Sequence, residues 1–369
     1  MKCKLKDLGI ISTGNTPSKS NEAFYISKDI AFVKPDTLSD CKVTEMIVTT
    51  EYISENARNK ARIVGKGAVF VTCIGSIGKI GLAGREFAFN QQINAIQPNG
   101  RVLSKYLAYS MLYNKKALQA IANAPVVPII NKSQFEDFEI EIEEDLNEQT
   151  KIVEILDKVN DVITSREKEL EELDNLIKSR FVEMFGDPVT NPYGWEKQRF
   201  DSLCENLDAR RKPITASERE EGIYPYYGAS GVVDHVADYL FDEDILLVSE
   251  DGANLLMRST PIAFSVSGKV WVNNHAHVVR FEKMSMQKYI EVYFSMIDIS
   301  EQITGSAQPK LNQAKLNAMM FAVPDETRLE EFLLFIHQVT KLKFRLTQTI
   351  QHTHTKKEGQ IWKQILITC

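Results

Sequence analysis

The stretch Pro128-Ile129-Ile130-Asn131-Lys132-Ser133-Gln134-Phe135 returns later in the chain as Pro309-Lys310-Leu311-Asn312-Gln313-Ala314-Lys315-Leu316. Both copies lead without a gap into a charged, helix-like pattern, in which Ile142 matches Val323, Ile152 matches Leu333 and Ile155 matches Ile336. A repeat of this length predicts two similar globular units, each followed by a long helix. The chain is therefore expected to have pseudo-twofold organisation.

The segments upstream of the two copies also correspond, with fewer identities. Residues 67–75 align with 244–252, and residues 89–96 align with 272–279. Each pair predicts a short buried strand, a glycine turn, and a strand in which polar and apolar residues alternate. One scaffold that carries two different surfaces is typical of two recognition tasks, and it suits a ligand with two separated sites, such as DNA.

The segment between the globules has the clearest helical pattern. Over residues 146–183 apolar residues recur every three or four positions, and Gly186 and Pro188 end the pattern. Such a helix would be roughly 55 Å long, which is too long to pack within one small domain. A second stretch, residues 329–350, repeats the pattern, and its periodicity is lost after Thr349. We expect the two helices to pair as a coiled coil, although each could instead pack on its own domain.

The predicted fold class is α+β. Two mixed α/β globules are joined and spaced by two long antiparallel helices. The predicted segments are a first recognition domain (1–145), a central helical spacer (146–187), a second recognition domain (188–325), and a C-terminal helical spacer with a tail (326–369).

Charge is distributed unevenly along the chain. The net charge is −6, yet residues 1–135 carry 18 Lys and Arg against 9 Asp and Glu. The first globule is therefore basic, which favours contact with phosphate. Residues 195–323 carry 18 acids against 13 bases, which weighs against DNA binding by the second globule unless its basic residues cluster, as they do at Arg210-Arg211-Lys212.

Cysteine usage and hydropathy restrict the class of protein further. The five cysteines include no CxxC pair, which indicates neither a zinc site nor a disulfide framework and fits a reducing cytoplasm. The N-terminus lacks the apolar stretch of a signal peptide. No apolar run approaches the ~18 residues that cross a bilayer.

Several sequences resemble catalytic motifs without meeting their requirements. Asn191-Pro192-Tyr193 has one proline where the amino-methyltransferase motif needs two, and no GxGxxG loop precedes it. Gly75–Gly81 is glycine-rich, but Ile80 stands where a P-loop needs Ser or Thr, so we predict a tight turn there. His352 and His354 fit a solvated tail better than a metal site. No catalytic or metal-binding residue is predicted in this chain.

A surface that reads bases should be rich in Asn, Gln, Arg and Lys. In the major groove, Asn and Gln bond adenine, and Arg and Lys bond guanine. The first globule offers Lys79, Arg85, Asn90, Gln91, Gln92, Asn94 and Lys132. The second offers Arg210, Arg211, Lys212, Lys269, Asn273, Asn274, His275, His277, Gln308 and Lys310. Asn131 and Asn312 are also candidates for capping the helical segments that follow them. The run Arg58, Lys60, Arg62 and Lys66 is expected to contact the phosphate backbone, which positions a protein without specifying sequence.

One segment carries a resemblance to a known family. The run Leu176–Pro188, followed by Gly194-Trp195-Glu196, is similar to the end of the central helix in the specificity (S) subunit of type I restriction-modification systems, often called HsdS. Gly305–Asn312 resembles the end of a recognition domain in that family, whereas Val126–Asn131 departs from it. The resemblance spans roughly residues 1–350.

The resemblance implies two target recognition domains that each read one half of a gapped DNA sequence, with paired helices that set the gap. It also implies two methyltransferase (M) subunits and restriction/motor (R) subunits as partners. S-adenosylmethionine, ATP and Mg²⁺ would be bound by those partners and none by this chain. Two alternatives stay open: a coiled-coil scaffold that binds only proteins, and a self-contained DNA methyltransferase or nuclease, which the missing motifs disfavour.

Overall fold

The structure is a computed structural model, and it describes residues 1–122, 127–305 and 308–356, with side chains described up to residue 351. The chain divides into two compact units. The first comprises Met1–Glu167 together with the segment that begins at Gln348, and the second comprises Lys168–Thr347.

The first unit is a mixed α/β structure. Its strands are β1 (Lys2–Lys4), β2 (Gly9–Thr13), β3 (Ile30–Val33), β4 (Glu45–Met46), β5 (Glu51–Ile53), β6 (Ile63–Val64), β7 (Val69–Thr72), β8 (Ile80–Ala83), β9 (Phe87–Phe89), β10 (Ile93–Pro98) and β11 (Glu139–Glu141). Its helices are α1 (Ser104–Tyr113), α2 (Lys115–Ala120), α3 (Lys132–Glu136) and the first part of α4 (Leu146–Phe185).

Two sheets form the body of this unit, one with strand order β2-β10-β7-β8-β4 and one with order β5-β3-β9-β6, and β1 pairs with β11. Every residue of β3, β7, β8 and β9 is buried, as expected of strands covered on both faces. The pair β3–β9 is parallel, whereas β3–β5 and β6–β9 are antiparallel.

The second unit is built from a similar set of elements. Its strands are β12 (Glu196–Arg199), β13 (Glu205–Asn206), β14 (Glu221–Gly228), β15 (Gly231–Val236), β16 (Phe241–Asp242), β17 (Ile245–Ser249), β18 (Ala263–Val266), β19 (Lys269–Val272), β20 (Ala276–Arg280) and β21 (Met320–Val323). Its helices are the end of α4, α5 (Phe200–Leu203), α6 (Asn254–Met257), α7 (Met284–Met296), α8 (Gln313–Ala318) and α9 (Glu326–Lys356), of which the part up to Thr347 belongs to this unit.

Strand pairing in the second unit follows the order found in the first. One sheet has the order β13-β20-β17-β18 and the other β15-β14-β19-β16, while β12 pairs with β21. The pair β14–β19 is parallel, and β14–β15 and β16–β19 are antiparallel. The strands predicted from residues 67–75, 89–96, 244–252 and 272–279 are therefore confirmed as β7, β10, β17 and β20.

The first part of α4 packs on the first unit. Ile152, Leu156 and Ile163 are buried there. Asp157 accepts hydrogen bonds from Lys105 Nζ and Tyr109 Oη, both at 2.7 Å, and burial raises the pKa of Tyr109. The predicted helix over residues 146–183 is confirmed, and it ends where Gly186 takes a φ of +80°, a conformation that glycine adopts without strain.

The end of α4 and the start of α9 pack together in the second unit through aromatic side chains. The Phe181 ring is fully buried and lies 5.8 Å from the Phe332 ring, and the Phe185 ring lies 5.2 Å from Phe332. Tyr289 of α7 stacks on Phe181 at 5.0 Å. The α9 backbone stays helical to Lys356, beyond Thr349, where the apolar periodicity ends, and the side chains of His352 and His354 lie outside the described ones.

The predicted capping roles of Asn131 and Asn312 are confirmed. The Asn131 side chain accepts from Gln134 N at 2.9 Å at the start of α3, and the Asn312 side chain accepts from Lys315 N at 2.9 Å at the start of α8. The repeated sequence therefore encodes the same local structure twice. Within the described residues, no helix combines the length and apolar composition needed to cross a bilayer.

Candidate nucleic-acid interface

In the first unit, the turn between β9 and β10 brings three of the predicted residues together. Asn90 is 6% exposed, and its Oδ1 accepts from Gln92 N at 3.1 Å, while its Nδ2 donates to Gln92 Oε1 at 2.9 Å. Such a bond from an Asn side chain to the backbone two residues later is the bond that holds an Asx turn. Gln92 is half-buried and Gln91 is exposed.

The neighbouring segment Asn15-Thr16 bonds both this turn and the backbone of two basic residues. Thr16 Oγ1 donates to Gln91 Oε1 at 2.8 Å. The adjacent Asn15 donates from Nδ2 to Lys60 O, and it accepts from Arg62 N, both at 2.6 Å. The side chains of Lys60 and Arg62 are exposed and form no ion pair with another described residue. The backbone of Lys60 and Arg62 is therefore connected to the turn through Asn15 and Thr16. Amide and cationic side chains are the types that suit contact with bases and phosphates.

The other predicted residues of the first unit occupy different surroundings. Lys79 Nζ lies 3.6 Å from Asp40, the Arg85 guanidinium lies 5.6 Å from the Phe87 ring, and Lys132 lies 3.3 Å from Glu136. Asn94 is 2% exposed. It accepts from Thr13 Oγ1 at 2.7 Å, and it contacts Cys73 Sγ at 3.3 Å. The side chain of Asn94 therefore connects neighbouring segments inside the unit.

The corresponding turn of the second unit joins β19 to β20. Asn273, also 6% exposed, accepts from His275 N at 2.8 Å. His275 Nδ1 lies 2.9 and 3.0 Å from the two carboxylate oxygens of Asp251. About half of the His275 side chain is exposed (49%), and Asn274 beside it is exposed.

A network of charged groups lies beneath this turn. Arg211 donates to Glu250 at 2.6 Å and to Ala276 O at 2.7 Å. Lys310 lies 3.0 Å from the other oxygen of Glu250. His277 is 1% exposed, with Nδ1 2.6 Å from Asp208 Oδ2 and Nε2 2.8 Å from Leu311 O. Arg211, His275, His277 and Lys310, four of the predicted residues, are thus brought together with three acids.

Burial and nearby charges shift the pKa of the acids of this network in opposite directions. Burial alone would raise the pKa of Asp208. The hydrogen bond and charge of His277, a bond from Val278 N and the charge of Arg211 outweigh burial, so the pKa is lowered. For Glu250 burial is likewise outweighed by hydrogen bonds from Arg211 and Lys310, and its pKa is also lowered. Both acids are therefore held ionised, and they fix the cations around them.

The remaining predicted residues of the second unit have other side-chain surroundings. Arg210 bonds Glu243 at 2.6 Å and lies over the Phe241 ring, while Lys269 lies over the Tyr239 ring at 4.7 Å. Lys212 and Gln308 are exposed. Among the residues that the structure describes, no group of three His, Cys, Asp or Glu side chains is placed to hold a metal ion.

Reasoning from the sequence missed the residues that orient the predicted ones. Thr16, Asp208, Glu250 and Asp251 were not selected, although they bond Gln91, His277, Arg211 and His275 respectively. The only available signal was the pair Glu250-Asp251 directly before a glycine, where the first half has Cys73-Ile74. Acids in place of apolar residues at a strand end indicate polar partners nearby.

Comparison with known proteins identifies the scaffold that carries these turns. The sequence model of the type I restriction modification DNA specificity domain matches residues 1–175 and 192–353. The specificity subunit of the MjaIX type I restriction enzyme of Methanocaldococcus jannaschii is 24% identical over 366 residues, which cover 89% of this chain and 84% of that protein. The HindI specificity subunit of Haemophilus influenzae is 32% identical over 140 residues, or 37% of this chain and 30% of that protein.

A second Haemophilus influenzae relative is likewise matched over 38% of its length, so the chain spans well under half of these two relatives. A solved structure concerned with complex assembly and conformational transition of the type I restriction-modification system contains a chain with the same fold. That chain is 12% identical, with a TM-score of 0.50, and the match covers 99% of this chain and 97% of the other. Because the family's sequence model matches most of both halves, this chain belongs to the type I restriction modification DNA specificity domain family.

Proposed function

We propose that this chain is the sequence-specific DNA-binding subunit of a type I restriction-modification complex and that it reads a gapped, two-part target. One observation carries the proposal: the same turn, at Asn90–Gln92 and at Asn273–His275, is built into matching strand pairings and bears different polar side chains in the two units. Direct readout needs such side chains on a rigid support. Different side chains on one support suit two different half-sites.

The proposed division of labour follows the four segments 1–145, 146–187, 188–325 and 326–369. Residues 1–145 and 188–325 would each recognise one half of the target. The long helices would form the coiled coil that spaces the two recognition domains. In support, α4 is 40 residues long, and its end packs on the start of α9 through Phe181, Phe185 and Phe332.

The proposed protein partners are two methyltransferase subunits and the restriction/motor subunits. Apolar side chains that are 46–63% exposed on the long helices support protein docking: Ile155, Val162, Leu176, Leu334, Leu342 and Phe344. The partners would bind S-adenosylmethionine, ATP and Mg²⁺. They would methylate adenine, which requires the base to be flipped out of the duplex into their own pocket. This chain would contribute recognition without catalysis and would act in the cytoplasm, where the DNA lies.

Mapping modified adenines tests the proposal. The chain is expressed with its neighbouring methyltransferase subunit in a methylation-free host, and modified adenines are mapped across the genome. We expect one two-part motif with a fixed gap, and no modification when either protein is expressed alone. A soluble complex that adds no methylation would contradict the proposal and favour a protein-binding scaffold. Such a scaffold would also lack the steep loss of DNA affinity with rising salt that a DNA-binding subunit shows.

A further inference from the structure

Gln92 and His275 occupy equivalent positions in the two units. The backbone carbonyl of Gln92 accepts from Cys73 N at 2.7 Å, and that of His275 accepts from Glu250 N at 2.9 Å. Each residue is the last one before a strand, which is β10 in the first unit and β20 in the second. Backbone bonds of the same pattern therefore hold both residues at the same place on the scaffold.

The neighbouring segment is also equivalent in the two units. Ile74 forms an isolated bridge with Ile129, and Asp251 forms one with Lys310. Gly75 N then donates to Pro128 O, and Gly252 N donates to Pro309 O, both at 3.0 Å. Position 74 of the first unit thus corresponds to position 251 of the second. The side chain that orients His275 therefore comes from a position where the first unit has an isoleucine.

Each of the two side chains has one polar atom that bonds the protein and another that bonds none of the described residues. Gln92 Oε1 accepts from Asn90, and its amide nitrogen bonds no other described residue. His275 Nδ1 faces Asp251, and Nε2 bonds none of the described residues. Because a carboxylate only accepts, Nδ1 donates, and in a neutral imidazole with that tautomer Nε2 is an acceptor. A side chain fixed at one end loses little further freedom when its other end binds a ligand.

We propose that Gln92 and His275 are the equivalent specificity-determining residues of the two recognition units, and this inference rests on the proposed function. Gln92 offers a donor, which suits an acceptor on a base edge, such as guanine O6 or thymine O4. His275 offers an acceptor in its neutral form, which suits the amino group of adenine or cytosine. Asp251 and Asn90 are positioning residues, because they act through the side chains that they hold.

The test uses the full chain in complex with its methyltransferase subunits and a duplex DNA library randomised across both half-sites. The variant His275→Gln should lower the base preference about tenfold at one position of one half-site and leave the other half-site unchanged. Asp251→Asn should weaken the preference at that same position. His235→Gln, which changes an exposed histidine on β15, is the matched control and should leave the motif intact.

A graft tests the equivalence of the two positions. The double variant Ile74→Asp with Gln92→His should change the preferred base at one position of the other half-site to the base that wild-type His275 selects. An unchanged motif in both His275→Gln and the graft would overturn the inference. A loss of affinity that is equal for all sequences would overturn it too, because that is the behaviour of a phosphate contact. If the wild-type complex selects no motif, the proposed function itself fails, so the two failures are distinguishable.

Discussion

His277 and Asp208 lie 69 residues apart in the sequence, yet their Nδ1 and Oδ2 atoms approach to 2.6 Å inside the second unit. Both side chains are buried, at 1% and 8% exposure, and Asp208 also accepts the backbone N–H of Val278 at 2.8 Å. The pair ties the segment before β14 to β20, directly under the turn that presents His275.

The variant Asp208→Asn should destabilise the second unit at neutral pH by about 3 kcal/mol, because it removes the charge of the buried carboxylate that His277 and Arg211 contact. The pKa of Asp208 in the folded protein lies below its ordinary value of 3.8. Its stabilisation is therefore complete above that value and is lost as the pH falls through the folded pKa. We expect the melting temperature of the wild type to fall more steeply with acid below about pH 4 than that of the variant.

Circular dichroism melts of the full chain at a series of pH values measure both effects. Asp242→Asn removes an exposed carboxylate of β16 and serves as the control, with a melting profile close to the wild type. Parallel profiles for Asp208→Asn and the wild type below about pH 4 would show that the pair does not contribute to acid stability.

The exposed Arg62 beside the Asn90–Gln92 turn should contact phosphate. The variant Arg62→Gln should weaken binding to all duplexes alike and reduce the slope of log affinity against log salt by about 1, because one fewer counterion is released. Fluorescence anisotropy of the complex on a labelled target duplex, from about 50 to about 200 mM salt, measures the slope. Lys168→Gln on α4 makes the same charge change on a helix and should leave the slope as it is. An unaltered slope in Arg62→Gln would remove this residue from the interface.

The fully buried ring of Phe181 should account for much of the packing between α4 and α9 in the second unit. It contacts the rings of Tyr289, Phe185 and Phe332 at 5.0, 5.1 and 5.8 Å. Phe181→Ala should lower the free energy of unfolding by about 3 to 5 kcal/mol, through lost burial and the cavity that remains.

Urea denaturation followed by the fluorescence of Trp195 and Trp271, both in this unit, measures the loss. The control Leu334→Ala removes a side chain that is 63% exposed on α9 and should cost less than about 0.5 kcal/mol. A cost for Phe181→Ala no greater than that of the control would mean that the aromatic cluster is not a stabilising core.

The local signals in this sequence predicted local structure well. Apolar residues at helical spacing predicted α4, and Gly186 predicted its end. Both signals depend only on residues a few positions apart in the sequence. Asn131 and Asn312 predicted their caps for the same reason, since the capped N–H lies three residues away. The repeat itself indicated that strands of the two halves correspond, and the resemblance at Leu176–Pro188 indicated the family.

Tertiary structure alone decided which polar residues face solvent and which hold the interior. Asn94 and His277 belong to the same amide- and histidine-rich segments as Gln92 and His275, but they lie within β10 and β20, where consecutive residues are buried, whereas Gln92 and His275 lie in the turns before these strands. Their partners, Thr13 and Asp208, come from distant strands and loops that only the folded sheet brings near. The sequence therefore determined the scaffold and the set of candidate side chains. The fold selected among them, because burial and hydrogen bonding depend on contacts that no local pattern encodes.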